Sequence, residues 1–477
     1  MFPVIEDPRI KEKCQIFTPD KQVKRMLDLA SYTNNLFGKK FLENSCGNGQ
    51  ILAQAVKRYI DDCKKKQYSK MKIKRGLEQD FTAYEVDKKR IEECIIKLDA
   101  VLAEYKIENV SWNIINQDYL KAKSEVRYDF IVGNPPYIAY PDLPKDVQKE
   151  LNEKYESCKK GKFDYCYAFI EKSYSELKKN GSLVYIIPSN IFKNTFADTL
   201  RSVIKEDIVS IDDFPSEKIF DKVLVSPAII CIVKGGLTPK LVYRSSGCVK
   251  EICKCNLGAK WAFDTINCYS DKKIGDYFRV SSAVATLLNE AFILKNGTIR
   301  DGFYIINKHK IEMSLVRKAA SPKNKKHNKL IEHIIFPYYY DHCGNLSHFS
   351  DEQMQERFPC ALEYLKKYKD KLDERDSDKG AKWFEYGRSQ ALRSINQKKI
   401  LISSVISSCT EPYMLEVDEV PYSGLYIVPI ADLKLEQIFN VLKSPEFKAY
   451  INNIGVCVRG NSKRISPKDI ENYVFEE

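Results

Sequence analysis

The first half of the chain predicts an α/β fold with a mostly parallel sheet. Short apolar runs alternate there with helix-like runs, which is the pattern of strands joined by crossover helices. Residues suited to ligand binding directly follow three of the runs: a Gly-rich turn after Phe41-Leu42, Glu85 after Phe81–Tyr84, and Asn134 after Gly133. Because the carboxyl ends of parallel strands meet at one edge of a sheet, we expect these residues to share a crevice.

Each element has its own local signal. Thr18 and Pro19 form an N-cap and first-turn proline for a helix that continues through Val23 and Met26. Further helix-like runs begin at Ile51 and Lys88 and cover Tyr165–Leu177. Strands are expected at Phe41-Leu42, Phe81–Tyr84, Val110–Ile115, Tyr128–Gly133, Gly181–Pro188 and Ser226–Val233.

The length predicts two domains, because 477 residues exceed what one hydrophobic core usually holds. The strand-like run before Gly235-Gly236 stops at adjacent breakers, which places the boundary there. We therefore expect an α/β domain over residues 1–236 and a less regular α+β domain over residues 237–477.

Charge and cysteine usage narrow the class of protein. Lys+Arg 77 against Asp+Glu 65 gives 77 − 65 = +12, which favours a polyanionic partner. The 15 cysteines have no paired spacing and charged residues closely follow Met1, so we expect a reducing cytoplasm. Cys248, Cys253, Cys255 and Cys268 lack the C-x2-C form, so we expect no metal site. No apolar run approaches the roughly 20 residues that span a bilayer, so we expect no membrane association.

The tetrapeptide Asn134-Pro135-Pro136-Tyr137 predicts a site that grips an exocyclic amine. The side-chain carbonyl of Asn134 and the backbone carbonyl of Pro135 can accept both N–H groups of one amine, and the prolines stiffen the loop. Tyr137 offers a flat face for a base. Taken alone, Asn-Pro-Pro is equally compatible with a rigid turn after a strand.

The turn from Glu43 to Gly49 and the acids Glu85 and Asp118 predict a nucleoside site. Glycines allow backbone to approach a ligand closely, and an acid at the end of a second strand can accept ribose hydroxyls. Glu85 is also compatible with an acid favoured at a helix N-terminus, and Asp118 with an exposed loop acid.

In this order the motifs resemble those of N6-adenine DNA methyltransferases of the gamma arrangement, found in type II restriction-modification systems or as orphans. The resemblance covers nearly the whole chain. It implies a Rossmann-like class I fold with a mixed seven-stranded sheet and S-adenosylmethionine as cofactor. The family's loop reads Asp-Pro-x-x-Gly-x-Gly, whereas Glu43 and Asn44 stand here for its acid and proline. The implied cofactor-binding residues are Phe17, Thr18, Glu43, Ser45, Gly47, Gly49, Glu85, Val86, Asp118 and Phe169.

By the same resemblance, the catalytic residues are Asn134, Pro135, Pro136 and Tyr137, and the substrate is a flipped-out adenine of double-stranded DNA. Tyr137 and Phe220 are the implied stacking partners of that base. Trp383, Arg388 and Gln390 are the candidate contacts of a C-terminal target-recognition domain, where Arg and Gln can pair with base edges. We expect a bacterial monomer without a fused nuclease domain, so a cognate endonuclease would act separately.

The sequence leaves three other functions open. RNA adenine or a protein glutamine amide could be the methylated group, since both present an N–H2 that the tetrapeptide could grip. A non-enzymatic alternative is a DNA-specificity subunit whose catalytic half has decayed.

Overall fold

The computed structural model of the chain describes residues 18–215, 226–263, 272–326, 331–407, 411–458 and 462–475. The chain divides into two compact units, Met1–Phe263 and Asp264–Glu477. No helix of the described ranges is long and apolar enough to cross a membrane.

A large mixed sheet forms the centre of the first unit. Its described strands follow the spatial order β3-β2-β1-β4-β5-β7-β6-β8-β9. β1 to β5 run parallel, and β7 is antiparallel to both β5 and β6. The predicted α/β class with a mixed sheet is confirmed. The strands are β1 Phe41–Glu43, β2 Phe81–Glu85, β3 Ile114–Asn116, β4 Tyr128–Gly133, β5 Leu177–Pro188, β6 Ile208–Asp213, β7 Pro227–Val233, β8 Lys240–Ser245 and β9 Cys248–Cys253.

Helices cover both faces of this sheet. The buried side chains of α1 to α4 pack in one hydrophobic cluster, and those of α5 to α7 pack in another. Two faces are buried because parallel strands place their crossover helices on both sides. The helices are α1 Asp20–Leu29, α2 Gln50–Lys65, α3 Lys70–Asp80, α4 Lys88–Glu104, α5 Lys145–Lys154, α6 Cys166–Glu176 and α7 Asp198–Ile204.

The sheet is wider than the seven strands expected, because a hairpin of β8 and β9 adds to the edge at β6. Arg244 of β8 pairs with the buried Asp212 of β6 at 2.9 Å, and Arg25 of α1 pairs with the same carboxylate at 2.6 Å. The first unit therefore continues to Phe263 instead of ending at Gly236. The breakers at Gly235 and Gly236 mark a turn within the unit.

Two strands differ by several residues from their expected bounds. β5 begins at Leu177, directly after α6, rather than at Gly181. β3 is limited to Ile114–Asn116, because only these residues pair with Ala83–Glu85 at the edge of the sheet.

The second unit has the α+β character expected, with several small sheets and short helices. Its sheets combine β10-β23-β19-β21, β11-β16-β15-β22, β12-β13-β14, β17-β18 and β20-β25-β24. The strands are β10 Phe278–Ser282, β11 Ile293–Leu294, β12 Thr298–Arg300, β13 Phe303–Ile306, β14 His309–Glu312, β15 Val316–Ala320, β16 Glu332–Ile335, β17 Tyr338–Tyr340, β18 Leu346–His348, β19 Lys399–Ile402, β20 Val405–Ile406, β21 Tyr413–Leu415, β22 Glu419–Pro421, β23 Leu425–Pro429, β24 Val456–Cys457 and β25 Lys463–Arg464. The helices are α8 Ile274–Tyr277, α9 Asn289–Phe292, α10 Pro322–Lys326, α11 Asp351–Arg357, α12 Pro359–Lys366, α13 Lys369–Asp373, α14 Leu435–Lys443, α15 Pro445–Ile454 and α16 Pro467–Glu471.

Aromatic side chains dominate the core of the second unit. Tyr386 is 1% exposed and lies edge-on to Phe336 and Tyr338. The guanidinium of Arg317 stacks on Phe336 at 3.8 Å from the ring centroid. These contacts assign much of the Phe336–Tyr340 run to packing.

Candidate active site

Three loops of the first unit emerge from the same edge of the sheet. Phe41 of β1 pairs in parallel with Phe81 of β2 and Phe130 of β4. The residues that follow these strands therefore leave the sheet side by side.

Asn134 is the first residue after β4, and two other segments contact it. Its amide Nδ2 donates to Oγ1 of Thr18 at 3.3 Å. The hydroxyl of Ser45, in the Gly-rich loop, donates to the backbone carbonyl of Asn134 at 3.0 Å. Gly133 precedes it in a tight space, where an added Cβ would lie 3.1 Å from the ring of Tyr185. The structure thus joins the Gly-rich loop to the tetrapeptide.

Tyr137 is half-buried, with its hydroxyl turned inward. That hydroxyl lies 2.5 Å from Oδ1 of Asn134 and 2.6 Å from the carbonyl of Ile186 in β5, and both atoms are acceptors. Burial raises the pKa of Tyr137 well above its usual value. The hydroxyl consequently stays protonated and donates at working pH.

The Gly-rich loop uses positive φ at Gly47 (50°) and Gly49 (79°), a conformation that suits glycine. Gly49 packs closely on α4, since a Cβ there would lie 2.5 Å from Sγ of Cys94. Gly47 instead faces open space, with nothing within 4 Å of an added Cβ. The loop is therefore tightly packed at Gly49 and open at Gly47.

Glu85 links this loop to the end of β2. Its carboxylate accepts hydrogen bonds from the backbone of Gly47 at 2.9 Å, Val86 at 2.8 Å and Asp87 at 3.0 Å. Three backbone donors hold the carboxylate in one orientation. Val86 is 46% exposed beside it and can contact a ligand.

Asp118 lies at the end of β3, where its Oδ1 accepts from the backbone of Leu120 at 2.9 Å. It also lines a small cavity with Val147 and Leu151 of α5 and with Tyr165. The charged side chains of Lys121 and Glu150 line the same cavity, so its lining is mixed.

Glu43 is 2% exposed at the end of β1, and it accepts from the backbone of Leu52 at 3.0 Å. Burial raises the pKa of this carboxyl well above its usual value. A positively charged ligand group beside it would favour the ionised form.

Asn44, at the position of the family's proline, begins a buried polar network that sequence reasoning missed. Its Nδ2 donates to Ser173 at 2.8 Å and to the hydroxyl of Tyr185, and Ser173 lies 2.6 Å from that hydroxyl. Tyr119 lies 3.1 Å from Ser173 and donates to Glu176 at 2.7 Å. The network ties β1 to α6 and β5 beneath the site. The departure from the family's proline was the signal that could have indicated it.

Two predicted site residues lie outside the described residues: Phe17, expected at the cofactor, and Phe220, expected to stack on the base. Phe169 is 4% exposed, with its ring centroid 5.5 Å from those of Tyr119 and Tyr165, so it packs in the core against these two rings.

A family model matches the part of the chain that contains β1 to β6 and the loops described above. Residues 26–220 match the family model described as Eco57I restriction-modification methylase. The chain is similar to type II restriction-modification methyltransferases. The predicted resemblance to methyltransferases of type II restriction-modification systems is therefore confirmed.

The curated relatives align with about half of the chain. The type II methyltransferase M.PaeR7I of Pseudomonas aeruginosa is 28% identical over 246 residues, which cover 48% of this chain and 42% of that protein. The modification methylase CviBIII of Paramecium bursaria Chlorella virus NC1A is 28% identical over 238 residues, 50% of this chain and 54% of that protein. The chain thus spans about half the length of these relatives.

Solved structures share the fold over most of the chain. The type IIL restriction-modification enzyme MmeI, solved in complex with DNA, matches with a TM-score of 0.61 at 14% identity. The match covers 95% of this chain and 64% of MmeI. The DrdV–DNA complex matches with a TM-score of 0.53 at 12% identity, over 90% of this chain and 50% of DrdV. At these identities the likeness concerns the fold.

The three candidate recognition residues lie on one segment of the second unit, in different settings. Gln390 is exposed, and Trp383 is half-buried against Phe384 at a centroid distance of 5.7 Å. Arg388 pairs with Asp376 at 2.8 Å and Asp378 at 3.3 Å. The charge of Arg388 is therefore already balanced by two carboxylates.

Proposed function

We propose that the protein transfers a methyl group from S-adenosylmethionine to N6 of a flipped-out adenine in double-stranded DNA. The observation that carries this proposal is a contact between two loops at one edge of the sheet. The hydroxyl of Ser45, in the Gly-rich loop, donates to the backbone carbonyl of Asn134, the residue that begins the amine grip. A ligand on the first loop and an amine at the second would then meet at short range.

The residues of the edge fit the cofactor. Open space above Gly47 leaves room for a ligand, and the oriented carboxylate of Glu85 can accept from hydroxyl groups. The carboxylate of Asp118 can accept a hydrogen bond from an exocyclic amine, and a positively charged ligand group beside the buried Glu43 would favour its ionised form. When bound, S-adenosylmethionine supplies a methyl group on a positively charged sulfur.

The chain's own contribution is to hold the amine. The lone pair of adenine N6 is delocalised into the ring, so this nitrogen is a weak nucleophile. If Oδ1 of Asn134 and the carbonyl of Pro135 accept hydrogen bonds from its two N–H groups, the lone pair becomes more localised on nitrogen. Pro136 stiffens the loop. Correct placement then supplies much of the rate through proximity and orientation.

Reaching N6 in a duplex requires the base to leave the stack, at a cost of a few kcal/mol. The exposed part of the Tyr137 ring can stack on the base, and base–aromatic stacking contributes about 1–3 kcal/mol. Phe220 is the second proposed stacking residue. The second unit is proposed as the recognition domain, with Trp383 and Gln390 as its better-placed candidates because Arg388 is engaged by carboxylates.

We also propose that one copy of the chain suffices, since one chain carries both the methylase half and the second unit. A separately acting endonuclease and a bacterial cytoplasmic setting stay expectations from the sequence and from the resemblance.

The test is nucleoside mass spectrometry of unmethylated bacterial DNA after incubation with the protein and S-adenosylmethionine. We expect N6-methyladenine from the wild type and none from Asn134→Ala. Asn113→Ala is a matched control, because Asn113 is exposed and precedes β3 at the opposite edge of the sheet.

The same assay separates the alternatives. Methylation of RNA or of a glutamine peptide, with none of DNA, would replace the proposed substrate. Cofactor binding without transfer to any of the three would favour the decayed specificity subunit. Equal activity of Asn134→Ala and the wild type would contradict the amine grip.

A further inference from the structure

A basic surface lies next to the tetrapeptide, on the loop Lys159–Lys162. Directly after this loop, the chain pairs with the residues that follow the tetrapeptide. Ala139 forms an antiparallel bridge with Asp164, and the backbone of Tyr165 donates to the carbonyl of Ile138 at 2.9 Å. The loop is therefore anchored within a few residues of Tyr137.

The segment that follows β5 supplies an aromatic ring to the same surface. β4 and β5 are parallel, with Gly133 opposite Tyr185, so the residues after both strands leave the same edge. Phe196 lies on this segment, and its ring covers Gly161. A Cβ at Gly161, which has φ +71°, would lie 1.9 Å from that ring. The lysine loop and Phe196 thus form one continuous surface.

The charges on this surface are not all balanced. Lys159 pairs with Glu156, and Asp198 lies 3.7 Å from Arg201. Lys160 and Lys162 are both exposed, and neither has an ion pair within the part of the chain that the structure describes.

Phe196 is 40% exposed, which leaves part of a large apolar ring in solvent beside Gly161, the residue between these two lysines. Ammonium groups that contact phosphates and an aromatic ring that contacts a base or sugar are the usual elements of a nucleic-acid surface.

We propose that Lys160 and Lys162 bind phosphates of the DNA strand beside the flipped adenine, and that Phe196 packs on a neighbouring nucleotide. This inference rests on the proposed function, because it requires a strand that passes the amine grip. Phosphate contacts position a duplex without reading its sequence. The surface would therefore serve every target sequence equally.

The rival explanation is that these lysines are merely solvated. A matched pair exists at the opposite edge of the sheet. Lys70 begins α3, which leads into the amino end of β2, and Lys106 follows α4. Both are exposed and line one shallow basic cavity. Removing them changes the net charge by the same amount, far from the tetrapeptide.

The experiment measures binding of a labelled mixed-sequence DNA duplex by fluorescence anisotropy at several salt concentrations. A plot of log K against log salt has a negative slope, and each lost phosphate contact makes it shallower by about 0.9. We expect the slope of the variant with Lys160→Gln and Lys162→Gln to be shallower than that of the wild type by about 1.8. The variant with Lys70→Gln and Lys106→Gln should keep the wild-type slope. Equal losses in the two variants, or none in the first, would overturn the proposal.

Phe196→Ala tests the aromatic part separately. We expect weaker binding by about fivefold or more with an unchanged salt slope, because stacking carries no charge. Unchanged affinity would remove Phe196 from the surface. Cofactor affinity, measured for every variant, checks that the fold is intact.

The outcomes separate this inference from the function itself. If the wild type forms N6-methyladenine while the variant with Lys160→Gln and Lys162→Gln binds DNA normally, only the inference is wrong. If the wild type neither methylates nor binds the duplex, both are wrong. An RNA hairpin as a parallel probe would then show whether the surface binds another nucleic acid.

Discussion

The hydroxyl of Tyr137 lies 2.5 Å from Oδ1 of Asn134, while Nδ2 of the same amide donates to Thr18 at 3.3 Å. Both ends of the amide therefore have a partner, and the carbonyl oxygen lies beside the aromatic ring. A base stacked on Tyr137 would bring its exocyclic amine towards that oxygen. An oxygen with two lone pairs can accept from the tyrosine and from the amine together.

Tyr137→Phe is expected to separate orientation from stacking. The ring remains, but Asn134 loses its donor, and one hydrogen bond contributes about 0.5–1.5 kcal/mol. We predict that kcat falls by about two- to tenfold while KM for DNA is unchanged. Steady-state kinetics and the fluorescence of 2-aminopurine at the target position measure the two effects.

Tyr137→Ala is the comparison for this prediction. It removes the stacking face too, so KM should rise and the fluorescence of the flipped base should change. If the phenylalanine variant had the kcat of the wild type, the hydroxyl would have no part in placing Asn134.

Glu85→Gln is expected to weaken cofactor binding by about tenfold, since hydrogen bonds to a charged group contribute about 1.5–3 kcal/mol each. The substitution preserves the side-chain shape but replaces one acceptor with a donor. Isothermal titration with S-adenosylmethionine measures the change. The control is Glu93→Ala, which removes an acid that pairs with Arg90 on α4. This variant should bind S-adenosylmethionine with unaltered affinity. Equal affinities in all three proteins would argue against the ribose role.

Asp164, beside the tetrapeptide, should make stability depend on acid pH. Burial raises the pKa of this carboxyl to about 6, although the backbone of Cys166 donates to it at 3.0 Å. An acid whose pKa is higher in the folded state binds more protons there. Stability contributed by its neutral form is complete below the unfolded pKa and is lost as pH rises towards 6.

Thermal unfolding between about pH 4 and pH 7 tests this expectation. As pH rises, the melting temperature of the wild type should fall relative to that of Asp164→Asn. The loss in the wild type is a few kcal/mol at most, because one pKa unit corresponds to about 1.4 kcal/mol. Parallel curves for the two proteins would contradict the assignment.

Lys399 stabilises the second unit through buried hydrogen bonds. Its side chain is fully buried, and Nζ donates to the carbonyls of Glu416 at 2.7 Å and Glu419 at 2.9 Å. Lys399→Met leaves these acceptors without a donor, so we expect a loss of about 1–3 kcal/mol in the free energy of unfolding. Urea denaturation at neutral pH measures it.

The pH profile provides the control for Lys399. Burial lowers its pKa to about 8. Above this value the unfolded chain still binds the proton that the folded chain has released, so wild-type stability rises as pH increases from 8 towards 10. The methionine variant should lack that rise, and an identical rise in both proteins would contradict the shift.

The sequence predicted where the site lies because strand ends can be inferred locally. Glu85, Asp118 and Asn134 each follow an apolar run, and parallel strands bring such residues to one edge. The tetrapeptide and the Gly-rich loop were placed at this edge in this way. The contact of Thr18 with Asn134 was not, because these residues are 116 positions apart and no local pattern relates them.

The same distinction explains the domain boundary. Gly235 and Gly236 are a correct local signal for the end of a strand, but a break in the chain does not reveal where the next strand pairs. β8 returns to the sheet, and Arg244 reaches the buried Asp212. Pairing between distant segments therefore determined the end of the first unit.

By itself the sequence determined the fold class, the order of the motifs and the identity of the groups at the sheet edge, since these depend on periodicity and on residues next to one another. Only the tertiary structure decided which partners hold them. Asn44 joins Ser173 and Tyr185 beneath the site, and Tyr137 and Thr18 hold the two ends of the Asn134 amide. Such hydrogen bonds depend on side-chain rotamers and on the packing of segments far apart in the chain, which local sequence does not specify.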